Sequence, residues 1–186
     1  MMKQKLNKAD ALRRMIYTAL MVAMGVVLPL AFHAIPNAGS IFLPMHIPVL
    51  ICGLLCGAPY GLVCGILTPL MSHWISGMPP LPYLPSMLCE LAAYGLLAGV
   101  LMFLLRKQNR YMGVYLSLAG AMICGRIVWG LLNALIFRAG AYTLEIWMTG
   151  AFVTALPGLI IQIIVIPALI FALRAARLAP QMVAEK

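Results

Sequence analysis
The sequence predicts an all-α polytopic membrane protein with six transmembrane helices and both termini in the cytoplasm. Three observations carry this. Hydrophobic residues make up 64% of the 186-residue chain and charged residues only 9%, with a mean hydropathy of +1.02; soluble domains carry about 25% charged residues. The apolar residues fall into runs near the length a helix needs to cross a bilayer, about 17–25 residues. The basic residues, which give a formal charge of +9, sort by position. In a six-helix chain one face receives Lys3, Lys5, Lys8, Arg13 and Arg14, then Arg106, Lys107 and Arg110, then Arg174, Arg177 and Lys186, while the other receives Arg138 alone. That asymmetry marks the cytoplasmic side, so the charge is no nucleic-acid footprint.

The elements follow in order. The first helix covers about 12–32, with Asn7 or Asp10 available as a cap and Pro29 near its end. Its basic lead resembles a signal peptide, but no small-residue cleavage site follows, so it reads as a retained helix. Residues 33–43, with Pro, Asn, Gly and Ser, read as a loop. The apolar stretch that follows divides at Ala58-Pro59-Tyr60-Gly61 into helices at about 45–57 and 60–76; a re-entrant pair is the alternative. The segment GMPPLPYLP (77–85) is a stiff loop. Three further helices cover about 86–105, 112–137 and 147–173, the last kinked at Pro157 and Pro167. All six form one integral membrane domain over residues 1–186.

Candidate site residues are the polar exceptions inside these runs. Arg126 lies mid-helix, where an ionised side chain costs at least about 2.5–3.5 kcal/mol. It needs a partner: Glu90, the only acid within a span, or an anionic group on a solute. Asn133 lies two turns beyond Arg126 on the same face, with Trp129 and Gly130 between. That stripe of charge, aromatic surface, gap and amide fits a solute pocket or helix-packing polarity. Gln162 is a second mid-span polar group. His33, His46 and His73 fall at the outer ends of the first three helices in no metal-binding spacing, leaving interfacial histidines or, for His46 above all, a pocket lining. No metal or cofactor is expected.

The five cysteines sit in apolar runs and read as packing rather than disulfides. Gly53, Gly57, Gly61 and Gly65 recur every four residues, a spacing that lets helices approach closely around one turn. Ala19 and Ala23 make a smooth groove on the first helix. No P-loop, G-x-S-x-G or H-E-x-x-H occurs, which excludes the usual ATP hydrolysis and the common hydrolases, and the chain reads as no enzyme. It has no evident two-half repeat of a secondary transporter.

Taken together, the Ala19-x3-Ala23 pair, the segment LPMHIPV (43–49), the following GLLCGAPYGLVCGIL (53–67) and the six-helix layout resemble the S components of energy-coupling factor (ECF) transporters, which import vitamins and related micronutrients in prokaryotes. The resemblance implies a high-affinity substrate-binding subunit in the plasma membrane. It implies partners that supply energy, a transmembrane coupling protein and two cytoplasmic ATPases, with Ala19 and Ala23 on the docking face. It implies a ligand pocket toward the outer side, under loops 33–43 and 77–85. The residues assigned to substrate are Arg126, Asn133, Trp129, Glu90, Gln162 and His46. A stand-alone small-solute transporter or channel and a membrane-embedded enzyme or haem protein are the other classes the residues admit.

Overall fold
The computed structural model of the chain describes residues 8–32, 34–176 and 178–179, and His33, Arg177 and the two termini (1–7, with Asn7, and 180–186) lie outside them. Among the described residues the structure is helical throughout, without a strand. Helix α1 (Lys8–Ala31) buries Arg14, Thr18, Met21 and Gly25, which recur every three or four residues on one face. The segment expected as a loop holds a single helical turn, α2 (Ala38–Phe42), bracketed by Asn37 and Leu43 in left-handed conformations.

Helix α3 (His46–Cys56) is buried at every residue except Ile47. A helix that is apolar on all sides belongs at the centre of a bundle, and α3 packs against α1, α4, α5, α6 and α8. Gly57, with φ of 97°, makes the turn into α4 (Ala58–Ser76); such a backbone suits a residue without Cβ. Arg14 Nη1 donates to the Cys56 carbonyl at 2.9 Å, a cation on the negative end of α3.

Helix α5 (Leu84–Leu104) follows the proline-rich loop, and α6 (Arg110–Leu132) runs on into a wide π turn at Asn133–Phe137. The stretch read as one helix over 147–173 is divided. Helix α7 (Leu144–Met148) is capped by Thr143 and passes through a π turn at Thr149–Thr154 into α8 (Leu156–Ala175). Pro157 lies in the first turn of α8, where its missing N–H costs nothing. It therefore starts a helix rather than kinking one.

Side-chain and backbone contacts fix the course of the chain. Arg14 meets Cys56 while Gly25 meets Pro48 and Thr68, so α1 runs against α3 and along α4. Gly61 meets Gly95 and Gly65 meets Leu91, so α4 runs against α5. Gly125 meets Tyr94, and Phe171 meets Tyr111 at 4.9 Å between ring centroids, so α6 opposes both α5 and α8. The glycines spaced by four do let helices approach, but the third partner is α5. Gly53, Gly61 and Gly95 meet backbone to backbone, an approach that only hydrogen on Cα permits.

Five helical stretches are long and apolar enough to cross a membrane: Lys8–Ala31, Ala38–Cys56, Leu84–Lys107, Tyr111–Phe137 and Leu156–Ala175. Helix α4 is not among these five; Thr68, Ser72, His73 and Ser76 along its second half lower its hydropathy. The chain is a multi-pass membrane protein.

Candidate functional site
The alternating course places the start of α3, the first half of α5, the last half of α6 and the start of α8 at one end of the bundle. Four helices carry buried polar side chains toward that end: His46 from α3, Glu90 and Tyr94 from α5, Arg126 from α6 and Gln162 from α8, and the first four lie against one another.

The ion pair considered between Glu90 and Arg126 does not form. Glu90 Oε1 instead faces His46 Nε2 at 3.3 Å, both residues buried. His46 is therefore a buried member of the polar cluster rather than an exposed histidine at the end of its helix. Its ring also stands edge-on to Tyr94, with centroids 5.1 Å apart. Tyr94 lies one turn after Glu90 on the same helix face, and its ring fills the space left by Gly125. This sets Tyr94 beside Arg126, the next residue of α6.

Arg126 is 3% exposed, and among the described residues neither Nε nor Nη2 has a hydrogen-bond partner. These two nitrogens form one edge of the planar guanidinium, the fork that takes a carboxylate through two parallel hydrogen bonds. Among the described residues, His46 Nδ1 and Gln162 Nε2 are likewise buried without hydrogen-bond partners, and so is the Tyr94 hydroxyl, which faces the Arg126 guanidinium. Leaving a buried polar group unmet costs about 1–3 kcal/mol, and more for a charge. Four such groups from four helices set this cluster apart from ordinary packing polarity. Gln162 lies one turn below Gly158, at which a Cβ would meet the Ile41 oxygen at 2.7 Å; α2 thus covers the α8 side of the cluster.

The other candidates make contacts within the chain. Asn133 Nδ2 donates to Ser86 Oγ and to the Trp129 carbonyl, each at 2.8 Å, tying α6 to α5. The gap at Gly130 is filled by the Trp147 indole, whose Nε1 donates to the Arg126 carbonyl at 3.1 Å. Trp129 stands edge-on to Tyr142, with centroids 6.0 Å apart. His73 Nδ1 and the Pro79 carbonyl lie 2.8 Å apart, which closes the proline-rich loop on α4. Tyr94 and Ser86 were not singled out from the sequence. The i, i+4 spacing of Glu90 and Tyr94 was the available signal for one of them, and nothing marked Ser86.

Ala19 and Ala23 are both exposed, on the face of α1 opposite Arg14, Thr18, Met21 and Gly25. Leu12, Ile16, Leu20 and Val27 flank them, also exposed.

A family model described as the substrate-specific component of ECF transporters matches residues 13–170. No curated protein and no solved structure matches the chain. The match runs from the first turns of α1 to the last turns of α8, and so takes in every helix that contributes to the polar cluster. Proteins of this kind are transporter subunits rather than enzymes; they bind small molecules and work with a coupling subunit and ATPases. With its helical membrane bundle and a match over most of its length, the chain belongs to the family of substrate-specific components of ECF transporters.

Proposed function
We propose that this protein is the high-affinity solute-binding subunit of an importer for a vitamin or related micronutrient in the plasma membrane of a prokaryote. A separate membrane coupling protein and two cytoplasmic ATPases supply the energy. The chain crosses the membrane six times, α4 included, with both termini in the cytoplasm, as the sorting of its Lys and Arg residues supports. The polar cluster then lies toward the outer side, beneath the loops that follow α1 and α4.

One observation carries the assignment of the site. Arg126 presents an unmet bidentate edge in a buried setting where the nearby carboxylate is already engaged by His46. A solute bearing a carboxylate or phosphate answers it. Tyr94, Gln162 and His46 Nδ1 supply further hydrogen bonds, and Trp129 supplies an aromatic wall. Glu90 holds the His46 ring in place, and Asn133 keeps α5 and α6 in register. Exposed Ala19 and Ala23 are the docking face for the coupling protein, since small side chains admit another helix closely.

Mass spectrometry of small molecules that copurify with the protein identifies the solute, and an acidic compound is expected. Arg126→Gln should then lower its affinity by about 2–5 kcal/mol, the cost of breaking a buried charged pair. An uncharged copurifying solute whose affinity is unchanged in Arg126→Gln would refute the assignment.

A further inference from the structure
The imidazole of His46 has two nitrogens, and its own chain engages one. Nε2 lies 3.3 Å from Glu90 Oε1, with both side chains buried. An ionised carboxylate accepts hydrogen bonds and cannot donate them, so the proton between the two belongs to Nε2. A neutral imidazole carries one proton, and its other nitrogen is then an acceptor. That nitrogen is Nδ1, which is buried and, among the described residues, has no hydrogen-bond partner.

The charges beside the ring suit the neutral form. Glu90 meets it directly, and Tyr94, edge-on to the ring at 5.1 Å between centroids, faces Arg126 in turn. One negative and one positive charge balance. A second cation, on His46, would leave an excess charge away from water, which is costly. The unmet groups therefore differ in kind. Arg126 Nε and Nη2 only donate, and an anion answers them. His46 Nδ1 only accepts, and an anion cannot answer it.

We propose that the solute carries a hydrogen-bond donor, an N–H or O–H group, that meets His46 Nδ1 while its acid group sits on Arg126, and that Glu90 is the positioning residue that keeps Nδ1 an acceptor. This rests on the reading of Arg126 as the anion site, and it narrows the solutes from acids in general to acids that also bear a donor. A site built to bond a donor rejects a solute without one, because a buried group of the site is then left unpaired. One such group corresponds to about 5- to 100-fold in affinity.

The test reads the tautomer first, by NMR of the full chain with isotope-labelled histidine nitrogens. The His46 signals are those lost in His46→Gln, and coupling to hydrogen shows which nitrogen holds the proton. Nε2 should be protonated and Nδ1 bare. A proton on Nδ1 overturns the proposal, whatever binds. Glu90→Met keeps the volume but not the acceptor. It should mix the two tautomers and weaken binding of the copurifying acid about 5- to 100-fold, and Glu90→Gln, whose amide oxygen still accepts, should restore both. An unchanged tautomer and affinity in Glu90→Met overturn the positioning role. The copurifying acid, identified by mass spectrometry, should bear an N–H or O–H besides its acid group. Nicotinate is the probe of the converse, since its ring nitrogen only accepts, and it should bind at least about tenfold more weakly. Nicotinate binding as tightly as the copurifying acid, or a copurifying acid without a donor, overturns the donor requirement and leaves the Arg126 reading intact. An uncharged solute unaffected by Arg126→Gln overturns the Arg126 reading instead, and the tautomer, measured separately, still decides the role of Glu90.

Discussion

Gly61→Ala should be among the most damaging single-methyl changes in this chain. A Cβ on Gly61 would lie 2.7 Å from both the Gly95 carbonyl carbon and the Gly53 Cα, and closer still to the Gly95 oxygen. Carbon atoms rest at about 3.5–4.0 Å, so α3 and α5 would each have to recede by roughly 1 Å. All three obstacles are backbone, so no rotamer change can absorb the methyl. Overpacking of this kind costs about 1–3 kcal/mol, and obstruction on two sides places Gly61→Ala in the upper part of that range. For a chain of this size the unfolding midpoint should fall by about 4–12 °C, measured by intrinsic fluorescence in detergent micelles. Because Gly95 follows Tyr94, displacement of α5 should also weaken solute binding. Gly39→Ala is the control: its Cβ would meet nothing within 4 Å, and alanine gains up to about 1 kcal/mol in a helix. A Gly61→Ala protein that melts within about 1 °C of the parent would refute the backbone-contact reasoning.

Other outcomes follow from the same structure. Glu90→Ala leaves His46 buried without its carboxylate and should cost about 1–3 kcal/mol, whereas Glu90→Gln keeps an acceptor and should cost clearly less; equal melting points would show that the pair does not matter. Trp147→Phe keeps the ring over Gly130 but loses the bond to the Arg126 carbonyl, about 0.5–1.5 kcal/mol, and amide exchange in 142–148 should speed up accordingly. Ala19→Trp should prevent copurification with the coupling protein while solute affinity stays unchanged. An intact complex would remove Ala19 from the docking face.

Much of the architecture was legible because bilayer physics writes it locally. Backbone groups in lipid must bond within their own helix, so long apolar runs read directly as helices, and proline and glycine read as their ends. The division of the last helix was harder to foresee. Pro157 is compatible with a kink or with a helix start, and the π turn before it depends on how α7 docks. The polar exceptions were equally visible, since a charge in a run of leucine and isoleucine has few precedents. Their partners were not. Proximity along the bundle axis made Glu90 a plausible mate for Arg126, but which helix face each side chain occupies is set by packing. His46 took the carboxylate, and Tyr94, seated on Gly125, came to lie beside the arginine. The gap at Gly130 looked like room for a solute until Trp147, seventeen residues later, filled it.

By itself the sequence determined that this chain is a helical membrane protein, which residues carry its buried polarity, and which family it resembles. These are properties of composition and local pattern, and lipid penalises any alternative. The tertiary structure alone decided which polar groups satisfy one another and which stay unmet. That outcome depends on helix rotation and approach, set by close glycine contacts between α3, α4 and α5. It left His46 paired with Glu90, and Nε and Nη2 of Arg126, beside the Tyr94 hydroxyl, without a hydrogen-bond partner among the described residues.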